Sequence, residues 1–262
     1  MKRLVIAVVL AAIALVGCSK GAPSVKDMNK GKAGYTLDLG QDFDVGMNSV
    51  DDMGISVALV VDVSGSMIDP PRSGGDMKYK QAAGSVERVL TFLYYLSKKH
   101  PDMPIKVTVL TFSDDVATLC PLTKVDDRFL AEIPKIADSE NYIPTFRTAM
   151  GKALEAGCAA LAQSGTVMKS LIVITDGENT ATPAPEDVLL GMSTNNNDKC
   201  RDGITVYTDS QLVSFIGFDV DACAFDGLSK AGARVIQAKD EAGISEGLTK
   251  ILDADITKLE GK

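Results

Sequence analysis

Apolar positions along the chain follow two rhythms that alternate from residue 55 onward. Ile55 to Val61 is a short, nearly continuous apolar run, the pattern of a parallel strand covered on both faces. Lys78 to Lys99 then spaces Ala82, Val86, Val89, Leu90, Leu93 and Leu96 at helical intervals, and Pro101 and Pro104 close it. Ile105 to Phe112 alternates and is β-branched; Ser113-Asp114-Asp115 turns it toward a short partner, Val116 to Leu119, which predicts an edge hairpin. Two helices are predicted next, 126 to 137 with Pro134 inside and 145 to 163. Leu171 to Thr175 is a second buried strand. Leu212 to Phe218 and Arg234 to Ala238 are two more, with a helix near 225 to 231 between them and a last helix over 241 to 256.

Strands alternating with helices of ten or more residues predict an α/β domain: a three-layer, Rossmann-like arrangement with a mostly parallel central sheet, one antiparallel edge strand, and helices on both faces. In such sheets ligands lie beyond the carboxyl ends of the strands, so polar residues that directly follow apolar strands draw the search for chemistry.

The N-terminal part reads differently. Lys2 and Arg3 precede thirteen apolar residues, Leu4 to Val16, too short for a comfortable membrane span, and Leu15-Val16-Gly17-Cys18 follows. The order resembles the lipobox of bacterial lipoproteins, which implies cleavage after Gly17, acylation of Cys18 and a membrane anchor. Ser19 rather than Asp follows the cysteine, favouring the outer membrane in a Gram-negative cell. Loss of Lys2 and Arg3 takes the formal charge from −8 to −10. Residues 18–52 are glycine-rich and aperiodic, a tether with an edge strand expected near 35 to 39. The organisation expected is a signal peptide over 1–17, the lipidated N-terminus and tether over 18–52, and one domain over 53–262.

Composition narrows the chemistry. Acidic charge and 27 Lys plus Arg against 35 Asp plus Glu argue against nucleic acid, whose affinity comes largely from phosphate neutralisation. A single histidine, His100, leaves no histidine-rich metal site or relay and only one possible imidazole base; its place before Pro101 suits a surface or capping role. There is no phosphate-binding Gly-x-x-x-x-Gly-Lys-Ser/Thr loop, hence no nucleotide expectation, and no Ser-x-x-Lys. A Gly-x-Ser-x-Gly spans Gly17 to Gly21, with no strand before it.

What does stand at the strand ends is oxygen. Asp62-Val63-Ser64-Gly65-Ser66 follows the first buried strand, Asp176-Gly177-Glu178-Asn179 the second, and Pro144-Thr145-Phe146 lies between them in sequence. Two carboxylates and three hydroxyls form a hard, weakly charged set suited to Mg²⁺, with Mn²⁺ or Ca²⁺ as substitutes, leaving the ion electrophilic. At Asp62, Ser64, Ser66, Thr145 and Asp176 the sequence resembles the von Willebrand factor A domain and its metal-ion-dependent adhesion site. The resemblance extends over the order of elements from Ile55 to the C-terminus. It implies that both serines bind the ion directly, that Thr145 and the two aspartates bind directly or through water, and that an exposed Asp or Glu of a protein partner completes the shell. Pro144 stands where that family usually has glycine, and the stretch 204–214 is longer than a plain connection.

With Cys18 lipidated, Cys120, Cys158, Cys200 and Cys223 remain, an even number for an exported domain. The pairing expected from their positions is Cys120 with Cys158 and Cys200 with Cys223. The function expected is a membrane-anchored, non-enzymatic binding module; an envelope assembly or quality-control factor is the alternative, and a metal-dependent hydrolase the alternative from another class.

Overall fold

A computed structural model describes residues 52–194 and 211–259. Six strands form one sheet: β1 (Asp52–Asp62), β2 (Ile105–Phe112), β3 (Val116–Lys124), β4 (Thr166–Thr175), β5 (Gln211–Phe218) and β6 (Arg234–Ala238). Their order across the sheet is β3-β2-β1-β4-β5-β6, and every pairing is parallel except β2 with β3. The expected mostly parallel sheet with one antiparallel edge strand is therefore observed. The chain builds outward from β1 in one direction, then restarts at β4 on its other side, so the switch of strand order falls between β1 and β4.

Alternation along β1 divides the core in two. Val57, Leu59 and Val61 point into a cluster shared with α1 (Lys78–Lys99), α2 (Asp127–Ile136) and α6 (Glu241–Leu259). Ala58 and Val60 point the other way, against α3 (Met150–Ala162), α4 (Pro185–Thr194) and α5 (Asp226–Lys230). Residues 55 and 57 to 61 are all completely buried, which is why β1 carries no polar alternation.

Several elements differ from their sequence expectation, and β4 begins at Thr166 rather than at Leu171. β3 runs on to Lys124 through Pro121, a residue tolerated because β3 is an edge strand and its pairing with β2 shifts register there. α3 begins at Met150 rather than at 145. α4, which the apolar pattern does not announce, follows a cis Thr182–Pro183 bond.

The cysteines require a correction. Cys120 on β3 packs in the α1/α2/α6 core, whereas Cys158 on α3 packs in the core on the opposite face, and they form no disulfide with each other. The sheet itself separates them. The expected Cys200–Cys223 pair lies outside the described residues because of Cys200, as do Cys18, the signal segment, the tether with its edge strand, and most of 204–214. No helix among the described residues is long and apolar enough to cross a membrane.

Candidate metal centre

The last residue of β1 is Asp62, fully buried, and both its oxygens are engaged. Oδ1 accepts the amide hydrogen of Ser64 at 2.6 Å, the local turn that aspartate makes with the backbone two residues on. Oδ2 accepts the hydroxyl of Thr175, the last residue of β4, at 2.5 Å. The turn carries Ser64 and Ser66 to the same side, their Oγ atoms 3.3 Å apart. Ser66 Oγ then donates to Asp176 Oδ1 at 2.6 Å. Four of the five expected ligand residues are thus linked in one chain of contacts at the β1/β4 switch point.

Thr145 joins through its backbone. Its N–H donates to the Val63 carbonyl at 2.6 Å, pinning its loop to the loop after β1. A Cβ on Gly65 would meet the Thr145 carbonyl at 3.1 Å, so glycine between the two serines permits this close approach. The Thr145 side chain is buried, and its Oγ1 has no hydrogen-bond partner among the described residues. A buried hydroxyl without a partner ordinarily costs about 1–3 kcal/mol, so it demands an explanation.

Residues 145–149 form a loop because their hydrogen bonds go elsewhere. Thr148 N–H donates to Thr180 Oγ1, Ala149 N–H to the Ser113 carbonyl, and Met150 N–H to Asn179 Oδ1 at 2.9 Å. Asn179 is the cap of α3, supplied from the loop after β4 instead of from the residue before the helix. His100 stands at the C-cap position of α1, far from this edge in the fold and consistent with its sequence expectation.

Charge at the site is tightly confined. Burial first, and the Asp176 charge second, push the Asp62 carboxyl up from 3.8 to about 7, against the opposing hydrogen bonds from Thr175 and Ser64. A cation compensates in part: Lys78, the first residue of α1, places Nζ 2.9 Å from Asp176 Oδ2. Neither Lys78 nor Thr175 stands out as a site residue in the sequence. A first-turn lysine reads as solvated surface, and Thr175 reads as the end of a strand.

These side chains fit a hard divalent cation. Two carboxylates and three hydroxyl residues gather at this sheet edge, all but Ser66 buried; the Thr145 hydroxyl has no hydrogen-bond partner among the described residues, and burial and the neighbouring Asp176 charge push the Asp62 carboxyl toward neutrality. Among the described residues no three His, Cys, Asp or Glu side chains gather elsewhere or here, so hydroxyls would supply most of the ligands. Such an ion would offer an open, electrophilic position to an outside carboxylate. At the rim, Phe146 and Ile143 expose apolar surface on either side of Thr145.

Comparison with known proteins agrees with this architecture. Residues 57–178 match the model of the von Willebrand factor type A domain. No curated protein matches the chain. Among solved structures, a von Willebrand factor type A protein from Catenulispora acidiphila is 16% identical with a TM-score of 0.57, over 77% of this chain and 42% of that one. The PilB minor pilin from Streptococcus sanguinis is 15% identical with a TM-score of 0.59, over 80% and 62%. The corresponding domain of the type V pili tip protein Mfa5 from Porphyromonas gingivalis is 14% identical with a TM-score of 0.55, over 79% and 96%. At these identities the likeness is one of fold. The chain spans less than two thirds of the length of the first two.

Proposed function

We propose, for a chain that carries a von Willebrand factor type A domain, that it is a binding module gripping a protein partner through a divalent cation. Asp62, Ser64, Ser66, Thr145 and Asp176 hold the ion, Mg²⁺ in the first instance, and an exposed Asp or Glu of the partner completes its shell. The observation that carries this reading is the linked set Asp62, Ser64, Ser66 and Asp176, with the Thr145 loop pinned to it through the backbone and the buried Thr145 Oγ1 without a hydrogen-bond partner among the described residues. Supporting it from outside are structural neighbours named as a minor pilin, a pilus tip protein and a pilus adhesin.

The role is non-enzymatic. The donor set supports this reading, since it is rich in hydroxyls and pairs no nucleophilic aspartate with an evident general acid. Acylation of Cys18 places the module at a membrane surface, on the outer membrane in a Gram-negative cell, where a tether lets it reach partners bearing acidic side chains.

Capture of proteins from an envelope extract tests the reading. The wild-type chain retains its partner in Mg²⁺ and releases it in EDTA, and Asp62→Ala captures nothing in either buffer. A partner that survives both EDTA and Asp62→Ala overturns the proposal, and turnover of a phosphoester abolished by the same substitution replaces it with a hydrolase.

A further inference from the structure

Lys78 is in an unfavourable place for local reasons. It is the first residue of α1, where the helix dipole is positive, and Met77 before it contributes no side-chain cap. Its side chain nevertheless folds inward, 12% exposed, and ends between two carboxylates: 2.9 Å from Asp176 Oδ2 and 3.8 Å from Asp219 Oδ2. Asp219 is held still from several sides. Its backbone occupies the left-handed region at φ 57°, its N–H donates to the Ala238 carbonyl, and Arg72 binds it three ways, through its backbone N–H to Oδ2, Nε to Oδ1 and Nη2 to the Asp219 carbonyl. The ammonium therefore has a nearer partner that belongs to the candidate metal centre and a fixed second partner that does not.

Building on the metal reading above, we infer that Lys78 is a tethered competitor of the divalent ion: its ammonium neutralises Asp176 when no ion is present and passes to Asp219 when one binds. The chemistry requires some such exchange. A divalent ion among Asp62, Ser66 and Asp176 would lie a few ångströms from the ammonium, and like charges that close repel enough, even at an effective dielectric of about 20, to shift an equilibrium tenfold or more. Asp219 lets Lys78 withdraw without losing a counter-ion. The affinity of the centre is then set by the difference between two carboxylates, and the centre releases its ion readily instead of trapping it.

Mn²⁺ binding to the full chain, followed by electron paramagnetic resonance, tests this together with thermal melting in EDTA and in saturating Mn²⁺. Lys78→Met, which keeps the length and removes the charge, binds Mn²⁺ about tenfold tighter than wild type. It melts lower than wild type in EDTA, where Asp176 is left unpaired, and recovers in Mn²⁺. Asp219→Asn weakens Mn²⁺ binding when Lys78 is present and has no effect in the Lys78→Met background, a coupling that a merely structural lysine does not produce. Equal or weaker Mn²⁺ affinity in Lys78→Met, or a melting loss that Mn²⁺ does not restore, overturns the inference while leaving the metal reading in place if Asp62→Ala still abolishes binding. Absence of Mn²⁺ binding in both wild type and Lys78→Met overturns both.

Discussion

Ser66 donates its hydroxyl to Asp176 Oδ1 at 2.6 Å across 110 positions of sequence, tying the turn after β1 to the turn after β4. The bond orients the serine within the oxygen cluster and holds one face of the carboxylate. Ser66→Ala leaves the fold intact and lowers Mn²⁺ affinity roughly 10- to 100-fold, the scale on which loss of an orienting group acts at metal sites. Calorimetric titration of the variant checks this, and wild-type affinity in Ser66→Ala removes the hydroxyl from the ligand set.

Thr145→Val separates binding from stability. Among the described residues the hydroxyl has no hydrogen-bond partner, so replacing it with a methyl of similar volume leaves the chelator-treated protein unchanged or more stable by about 1 kcal/mol. The same change reduces the rise in melting temperature that Mg²⁺ produces. Chemical denaturation with and without Mg²⁺ measures both; a loss of ion-free stability would mean that Oγ1 already has a partner.

The buried Asp62 carboxyl makes ion-free stability depend on pH. In the folded chain it keeps its proton up to about pH 7, while an unfolded aspartate releases it near 3.8. Between those values the native state holds the extra proton, so stability falls as pH rises from about 4 to about 7 and levels off above, by a total on the order of 4 kcal/mol. Denaturation in EDTA at pH 5 and pH 8, for wild type and Asp62→Asn, isolates this contribution. The wild type loses more than the variant on going to pH 8; equal losses refute the assignment.

The C-terminal helix is fastened by charge as well as by packing. Asp255 on α6 is fully buried, its Oδ2 accepts from Arg234 Nη2 at 3.1 Å, and its Oδ1 lies 2.8 Å from Nη1 as an ion pair. Arg234 Nε also donates to Ser214 Oγ on β5. Asp255→Ala leaves a half-buried guanidinium without its partner and lowers stability by about 3 kcal/mol. Urea titration reads the loss, and a change under about 1 kcal/mol would show that packing alone holds α6.

Thiol chemistry follows the two-core arrangement. Burial pushes the Cys120 thiol up to about 12, leaving almost no thiolate at neutral pH. Native protein treated with a maleimide at pH 8 therefore leaves Cys120 unlabelled until it is unfolded, and peptide mapping finds no Cys120–Cys158 bridge. Recovery of that bridged peptide would contradict the placement of the two residues on opposite faces.

The buried strands and the oxygen-bearing turns after them were legible in sequence because their signals are local: an apolar run, then Asp-x-Ser-x-Ser or Thr-Asp-Gly. What was illegible depends on distant partners. The start of α3 is moved to Met150 by Asn179, 29 residues away, which no reading of residues 145–150 reveals. α4 has a weak stripe, with Leu189 buried but Leu190 exposed, so its period is blurred. Lys78 looks like any solvated first-turn lysine until β4 and the loop after β5 bring Asp176 and Asp219 beside it. The Cys120–Cys158 expectation failed because even cysteine numbers carry no information about which face of a sheet each one occupies.

Pro121 bears on how copies of this protein can meet. Among the described residues the sheet ends at β3 and β6, and a sheet margin invites other chains to add strands to it. The course of β3 is interrupted by a residue without an amide hydrogen and by shifts of register against β2 between Val107, Val109 and Leu110. A neighbour trying to extend the ladder there finds a broken template. At high local density this margin is thereby kept from strand-by-strand polymerisation, and under the function proposed above the loop end of the sheet is left as the place of contact.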